Sequence, residues 1–196
     1  MAGRDPAGLR SIFASANGDG ALMHAILETL SVPGRPVSPT QFHNSVHNAA
    51  AGYWTIGHGA HAPATCLGCH DATFAASLLK AATEVVIERA PVLLCVYDVA
   101  LPPPLFAQRP VQGAFAAAFV LAPETERGTL GRIALEYRAE SAPDAEIEPR
   151  APGLAPMARA NPAARALRLL EALASARPDR FAAPLLDGSV RIAYQP

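Results

Sequence analysis

Residues Pro91-Val-Leu-Leu-Cys-Val-Tyr-Asp98 form a nearly continuous apolar run. A strand with one wet face would alternate apolar and polar residues; this one does not, so it must be covered on both sides. Pro102-Pro103-Pro104 closes it. That single requirement restricts the chain to folds in which a buried strand is sandwiched by other elements, and the remaining patterns supply them.

Ser11 to Ala16 reads as a short buried strand ended by the turn residues Asn17-Gly-Asp-Gly20. Ala21 to Leu30 follows as a helix with Leu22, Ile26 and Leu30 on one side. Pro33 to Pro39 reads as a linker, Ser45 to Ile56 as a helix-like segment, and Ala64 to Gly68 as a short strand. Asp71 stands where an N-cap belongs, ahead of a helix over Thr73 to Ala81. Ala114 to Leu121 and Arg132 to Arg138 read as two more strands, connected by Pro123 to Gly131. Asn161-Pro162 is an N-cap and N1 pair opening a helix to about Ala176, and Asp187-Gly188 is a turn signal before a final strand reaching Tyr194. Strands alternating with helices predict an α/β layered fold, a mixed sheet flanked by helices.

At 196 residues, 51% hydrophobic and 17% charged, the chain can bury a sizeable core. A net charge of −1 leaves no electrostatic footprint for nucleic acid or an anionic membrane. No signal peptide is expected behind MAGRDPAGLRS, and no stretch approaches the roughly 18 apolar residues of a membrane helix. Three cysteines, an odd number, are expected to be reduced thiols in the cytoplasm.

Candidate chemistry concentrates in Ser38 to Ala81, which holds five of the six histidines, two of the three cysteines and the only tryptophan. Cys66-Leu-Gly-Cys69-His70 has the C-x-x-C-H spacing of a c-type haem attachment site, although that chemistry belongs to exported proteins. His43, His47, His58 and His61 could join the two cysteines around zinc, in a crowded arrangement. Cys66 or Cys69 with a histidine could form a thiol nucleophile, but Asp71, not a thiol, takes the helix N-terminus that would activate one. There is no Gly-x-Ser-x-Gly elbow, P-loop or acidic cluster. A Cys/His metal or haem protein using Cys66, Cys69 and His70 is the alternative to the reading that follows.

The same stretch resembles the N-terminal half of β-ketoacyl synthases, the thiolase-like condensing enzymes of fatty acid and polyketide synthesis. Ser38-Pro39, Asn48-Ala-Ala-Ala51-Gly52, Thr55-Ile56, Gly59 and Ala62-Pro63 match that family's motifs in order. Continuing without gaps, the family's nucleophile falls twelve positions after Gly59, on Asp71, and its helix alanine ten further on, on Ala81. Cys66 and Cys69 are out of register. The resemblance extends over roughly residues 9 to 140, with Ile12 to Gly20, Pro91 to Asp98 and Ala114 to Pro123 as family strands and turn.

Aspartate for cysteine, together with no histidine after His70, implies a chain that does not condense acyl groups alone. Chain-length factors, the nucleophile-less partners of active ketosynthases, fit both departures. The short form resembles those of aryl-polyene and xanthomonadin-type clusters. The resemblance implies a heterodimer with a β-ketoacyl synthase, an acyl carrier protein reached through the complex, no cofactor, no metal and no catalytic residue. It implies tunnel or interface positions at Gln41, Phe42, His43, His47, Asn48 and Cys66, with Ala64 to Gly68 as an edge strand pairing across a twofold. It divides the chain into a ketosynthase-like thiolase half-domain at 1–141, a Pro/Ala-rich linker at 142–160, and a C-terminal helix plus strand at 161–196 docking on the same domain. The family's first, central strand has no counterpart here; either the chain is shortened there or Ser189 to Tyr194 fills part of the sheet.

Overall fold

The computed structural model describes residues 4–124 and 128–196. Residues 1–3 of the N-terminal stretch, and 125–127 of the Pro123 to Gly131 connection, lie outside the described residues. Four strands form one sheet: β1 (Arg10–Ala14), β2 (Ala64–Leu67), β3 (Val92–Asp98) and β4 (Phe115–Leu121), in the order β2-β1-β3-β4. β1 runs parallel to both β2 and β3, and β4 is antiparallel to β3. The sheet is mixed, as the element order predicts.

The apolar run becomes β3, an inner strand whose Val92, Leu94 and Val96 are wholly buried. They face α4 (Thr73–Glu88), which presents Phe74, Leu78, Ala81 and Val85 at helical spacing to the same cluster. α4 continues past the expected end at Ala81, because Val85 still reaches that cluster. Ala176, at φ 48°, caps α7 (Leu167–Ser175), and Asn161 caps the 3₁₀ turn before it by accepting from the N–H groups of Ala163 and Ala164.

Three expectations are corrected. The expected linker and single helix between 33 and 56 are two helices, α2 (Pro39–Asn44) and α3 (Ala49–His58). Ser38 caps the first of these from the residue before Pro39, so the Ser-Pro pair starts a helix instead of ending a linker. Second, Ser189 to Tyr194 does not enter the first sheet. It lies in β7 (Gly188–Gln195), the middle strand of a second antiparallel sheet between β5 (Arg132–Arg138) and β6 (Asp179–Leu185). β1 and β3 instead pair directly, from Arg10 with Val92 to Ala14 with Val96. Third, β6 was not legible as a strand: its Pro184 and paired alanines give a weak signal, and it is formed by its hairpin with β7.

The second sheet is not separate from the first. Phe181, Leu185, Val190 and Ile192 share one buried cluster with Ile12, Phe74 and Leu94. α4 therefore lies between the two sheets. Residues 142–160 contain a 3₁₀ turn at Asp144–Glu146, a short helix α6 (Ala155–Ala160) and Ile147, which is 2% exposed within the same core. α1 (Gly20–Leu30) and α5 (Leu105–Gln108) complete the described helices. Among the described residues, no helix is long and apolar enough to cross a membrane.

Candidate functional site

The carboxyl ends of parallel strands are where open α/β sheets gather their chemistry, and here β1, β2 and β3 all end at one place. β1 runs into Ser15-Ala-Asn-Gly18, β2 into Gly68-Cys-His-Asp71, and β3 ends on Asp98. Asp98 is 1% exposed. Its Oδ1 accepts from Ser15 Oγ at 2.8 Å and from the N–H groups of Ala16 and Asn17 at 2.9 and 3.3 Å. Its Oδ2 accepts from the N–H of Ala163 at 3.2 Å. Burial pushes the Asp98 carboxyl above its ordinary pKa, against the pull of these four hydrogen bonds. The site's floor is thus tied to the C-terminal segment.

Asp71, the position matched to the family's nucleophile, stands in the 3₁₀ turn His70–Ala72. It is not the cap of α4: Ala72 holds the cap position, and no side chain bonds there. Thr73 stabilises the turn instead, its Oγ1 accepting from the Cys69 N–H at 2.9 Å and donating to the His70 carbonyl at 2.7 Å. The Asp71 carboxylate accepts from Arg109 Nη2 at 2.9 Å. Arg109 Nη1 lies 2.6 Å from His70 Nε2, and its Nε donates to Asn17 Oδ1 at 2.8 Å. His70 Nδ1 lies 3.3 Å from Asp71 Oδ2. An ion pair with two flanking hydrogen-bond partners therefore stands at residue 71, the position that the motif register aligns with the family's thiol. The sequence gives no periodic or motif signal for Arg109, which follows the triple proline and reaches Asp71 only through the fold.

His70 holds φ at 49°, a left-handed conformation that costs a non-glycine residue roughly 1 kcal/mol. Gly68 is required for a different reason. A Cβ there would lie 2.8 Å from the Ser15 carbonyl oxygen and 3.3 Å from His47 Nε2. The close approach lets His47 Nε2 donate to the Ser15 carbonyl at 3.0 Å, joining the α2–α3 turn to the end of β1.

The other sequence-selected residues spread away from this centre. Cys66 sits in β2 opposite Phe13 and is half-buried, and burial pushes its thiol pKa up, as it does for Cys95 on the other side of Phe13. Neither is activated. Gln41 lines an open cavity of about 600 Å³ between α1 and α2, together with Glu28, Arg35 and Ser38. Phe42 is 66% exposed, and His43 and Asn48 are exposed. Trp54 tilts against Phe13 and His58, with ring centroids 6.1 and 4.1 Å apart. Among the described residues, no three His, Cys, Asp or Glu side chains gather as a metal would need, so the histidines near Cys66 and Cys69 do not converge on them.

No curated protein matches the chain. Among solved structures it is similar to one described as a ketosynthase (ApeO) in complex with its chain length factor (ApeC) from Xenorhabdus doucetiae. The TM-score is 0.69 at 17% identity, over 95% of this chain and 69% of that one. It is also similar to the ishigamide ketosynthase/chain length factor, with a TM-score of 0.68 at 16% identity, over 96% and 72%. At these identities the likeness establishes the thiolase-like fold. The family model for the beta-ketoacyl synthase N-terminal domain matches residues 3–177, most of the chain including Asp71 and its surroundings. This chain belongs to the beta-ketoacyl synthase N-terminal domain family.

Proposed function

We propose that this chain is a non-catalytic, chain-length-factor-like partner of an active β-ketoacyl synthase, in a cytoplasmic polyketide or fatty-acid-like pathway of the aryl-polyene kind. The observation that carries the reading is Asp71, a carboxylate engaged by Arg109 at the position that the motif register assigns to the family's nucleophile. A carboxylate is a poor acyl acceptor, and none of the thiols nearby takes its place. Both solved structures cited above are described as ketosynthases with chain length factors.

The surface fits a protein that docks. Among the described residues β2 is an edge strand with a neighbour on one side only, so its outer backbone groups can pair with another chain. Cys66 lies within it. α3 packs on β1 and β2 and turns Tyr53 and Ile56 outward, 60% and 80% exposed. In this reading β2 pairs across a heterodimer twofold, and Gln41, Phe42, His43, His47 and Asn48 lie toward the partner and its acyl tunnel. The acyl carrier protein meets the complex through the ketosynthase.

The test is co-expression with the ketosynthase encoded beside it, followed by native mass spectrometry. A one-to-one complex is expected, weakened by Cys66→Arg, which sets a charge in the seam. A stable chain that pairs with no ketosynthase, or one that condenses acyl and malonyl carrier proteins alone, would overturn the proposal.

A further inference from the structure

We propose that Arg109, His70 and Asn17 form a carboxylate-binding cradle, and that Asp71 is its resident ligand, supplied from within the chain. Arg109 donates to the Asp71 carboxylate, and His70 stands beside it. Arg109 Nη2 donates to Oδ1 at 2.9 Å, and His70 Nδ1 lies 3.3 Å from Oδ2. The neighbouring contacts orient the imidazole. Guanidinium nitrogens only donate, and Arg109 Nη1 lies 2.6 Å from His70 Nε2 and 3.4 Å from Nδ1, so the nearer Nε2 is the better acceptor and Nδ1 is the ring nitrogen that faces Asp71.

Arg109 is itself held. Its Nε donates to Asn17 Oδ1 at 2.8 Å, and its side chain is only 20% exposed, so the guanidinium is oriented from behind and partly shielded from water. Asn17 Nδ2 is buried with no partner among the described residues, which leaves this amide committed to Arg109 through its oxygen. Asn17, His70 with Asp71, and Arg109 come from the β1–α1 turn, the β2–α4 turn and the segment after α5 respectively. Holding them together needs no external group.

The arrangement has two consequences. A preorganised cation and imidazole would capture a small carboxylate if Asp71 did not fill the space. In the native chain it does, so the family's nucleophile position is closed to a carboxylate coming from outside. This holds whether or not the chain pairs with a ketosynthase.

The experiment removes the resident ligand and offers another. Asp71→Ala should lower the melting temperature, and acetate at millimolar concentration, the weak affinity open to so small a ligand, should restore it. Methyl acetate, of similar shape and no charge, should not. The wild type and Asp71→Asn, whose cradles stay filled, should not respond to acetate beyond the effect of equal chloride. Asp71→Ala/Arg109→Met should lose the response altogether. Acetate should also shift the His70 ring signals of Asp71→Ala in a saturable way. An Asp71→Ala chain blind to acetate in both readouts, or a wild type that responds equally, overturns the cradle. If Asp71→Ala does not fold, Asp71→Ser is used, and the same outcomes decide. Complex formation with the ketosynthase, measured on the same variants, fails or survives separately.

Discussion

Asp98 offers the sharpest test of how the site is held. Its carboxylate joins three stretches distant in sequence: Ser15 to Asn17, the end of β3, and Ala163. Asp98→Ala removes the acceptor of the Ser15 hydroxyl and of the Ala16 and Asn17 N–H groups. The Ala163 N–H keeps Asn161 Oδ1 at 3.0 Å. Two orphaned backbone donors at about 1–3 kcal/mol each give an expected loss of about 2–6 kcal/mol. Asp98→Asn keeps Oδ1 as an acceptor but turns an NH2 toward the Ala163 N–H, and should cost about 1–2 kcal/mol at neutral pH.

The pH dependence follows from the direction of the Asp98 shift. Burial raises the folded pKa above its ordinary 3.8, so the native state holds the proton more tightly than the unfolded chain does. The contribution of the carboxyl to stability is therefore greatest below pH 3.8 and is lost as pH rises through the folded pKa. The advantage of the wild type over Asp98→Asn should shrink as pH rises from 4 toward 7, read by urea denaturation at each pH with m unchanged. If the wild type gains on Asp98→Asn over that interval, the hydrogen bonds outweigh desolvation and the argument is reversed. A loss below about 1 kcal/mol in Asp98→Ala would refute the tie itself.

Other substitutions probe the same region. Asp71→Cys places a thiol beside the Arg109 guanidinium, and each unit by which that charge lowers its pKa gives about tenfold more thiolate at neutral pH. It should alkylate faster than Cys66 and Cys95, and Asp71→Cys/Arg109→Gln should lose that advantage in a mass-spectrometric time course. Gly68→Ala sets a Cβ 2.8 Å from a backbone oxygen that cannot swing away, and should cost about 1–3 kcal/mol by thermal or urea unfolding. Leu94→Ala empties a fully buried position between β3 and α4, with an expected loss of about 2–5 kcal/mol. A loss under about 1 kcal/mol would mean that α4 does not depend on this contact.

Much of the first sheet was legible because its signals are local. The apolar run at β3, the turn after β1 and the alanine-rich α4 each follow from a few neighbouring residues, and the structure has all three, with α4 running seven residues past Ala81. The register that put the nucleophile position on Asp71 lies within the span that the family match covers. Arg132 to Arg138 and the strand reaching Tyr194 were legible as strands, but their pairing was not, because β5, β6 and β7 come together across the forty residues between Arg138 and Asp179. A propensity scale does not register that pairing. Asp71 was read as a cap because a lone acidic residue before a helix has that local role, and only the fold brings Arg109 near enough to claim its charge.

By itself the sequence determined the alternation of strands and helices, the burial of β3, the order of family motifs and the absence of a thiol at residue 71, since all of these are carried by residue identity and short spacing. The tertiary structure decided what residue 71 does. Asn17, His70 and Arg109 lie on three separate connections. They meet at Asp71 because parallel strands end side by side, and a hydrogen bond is made by atoms within about 3 Å of each other, however far apart they stand in the chain.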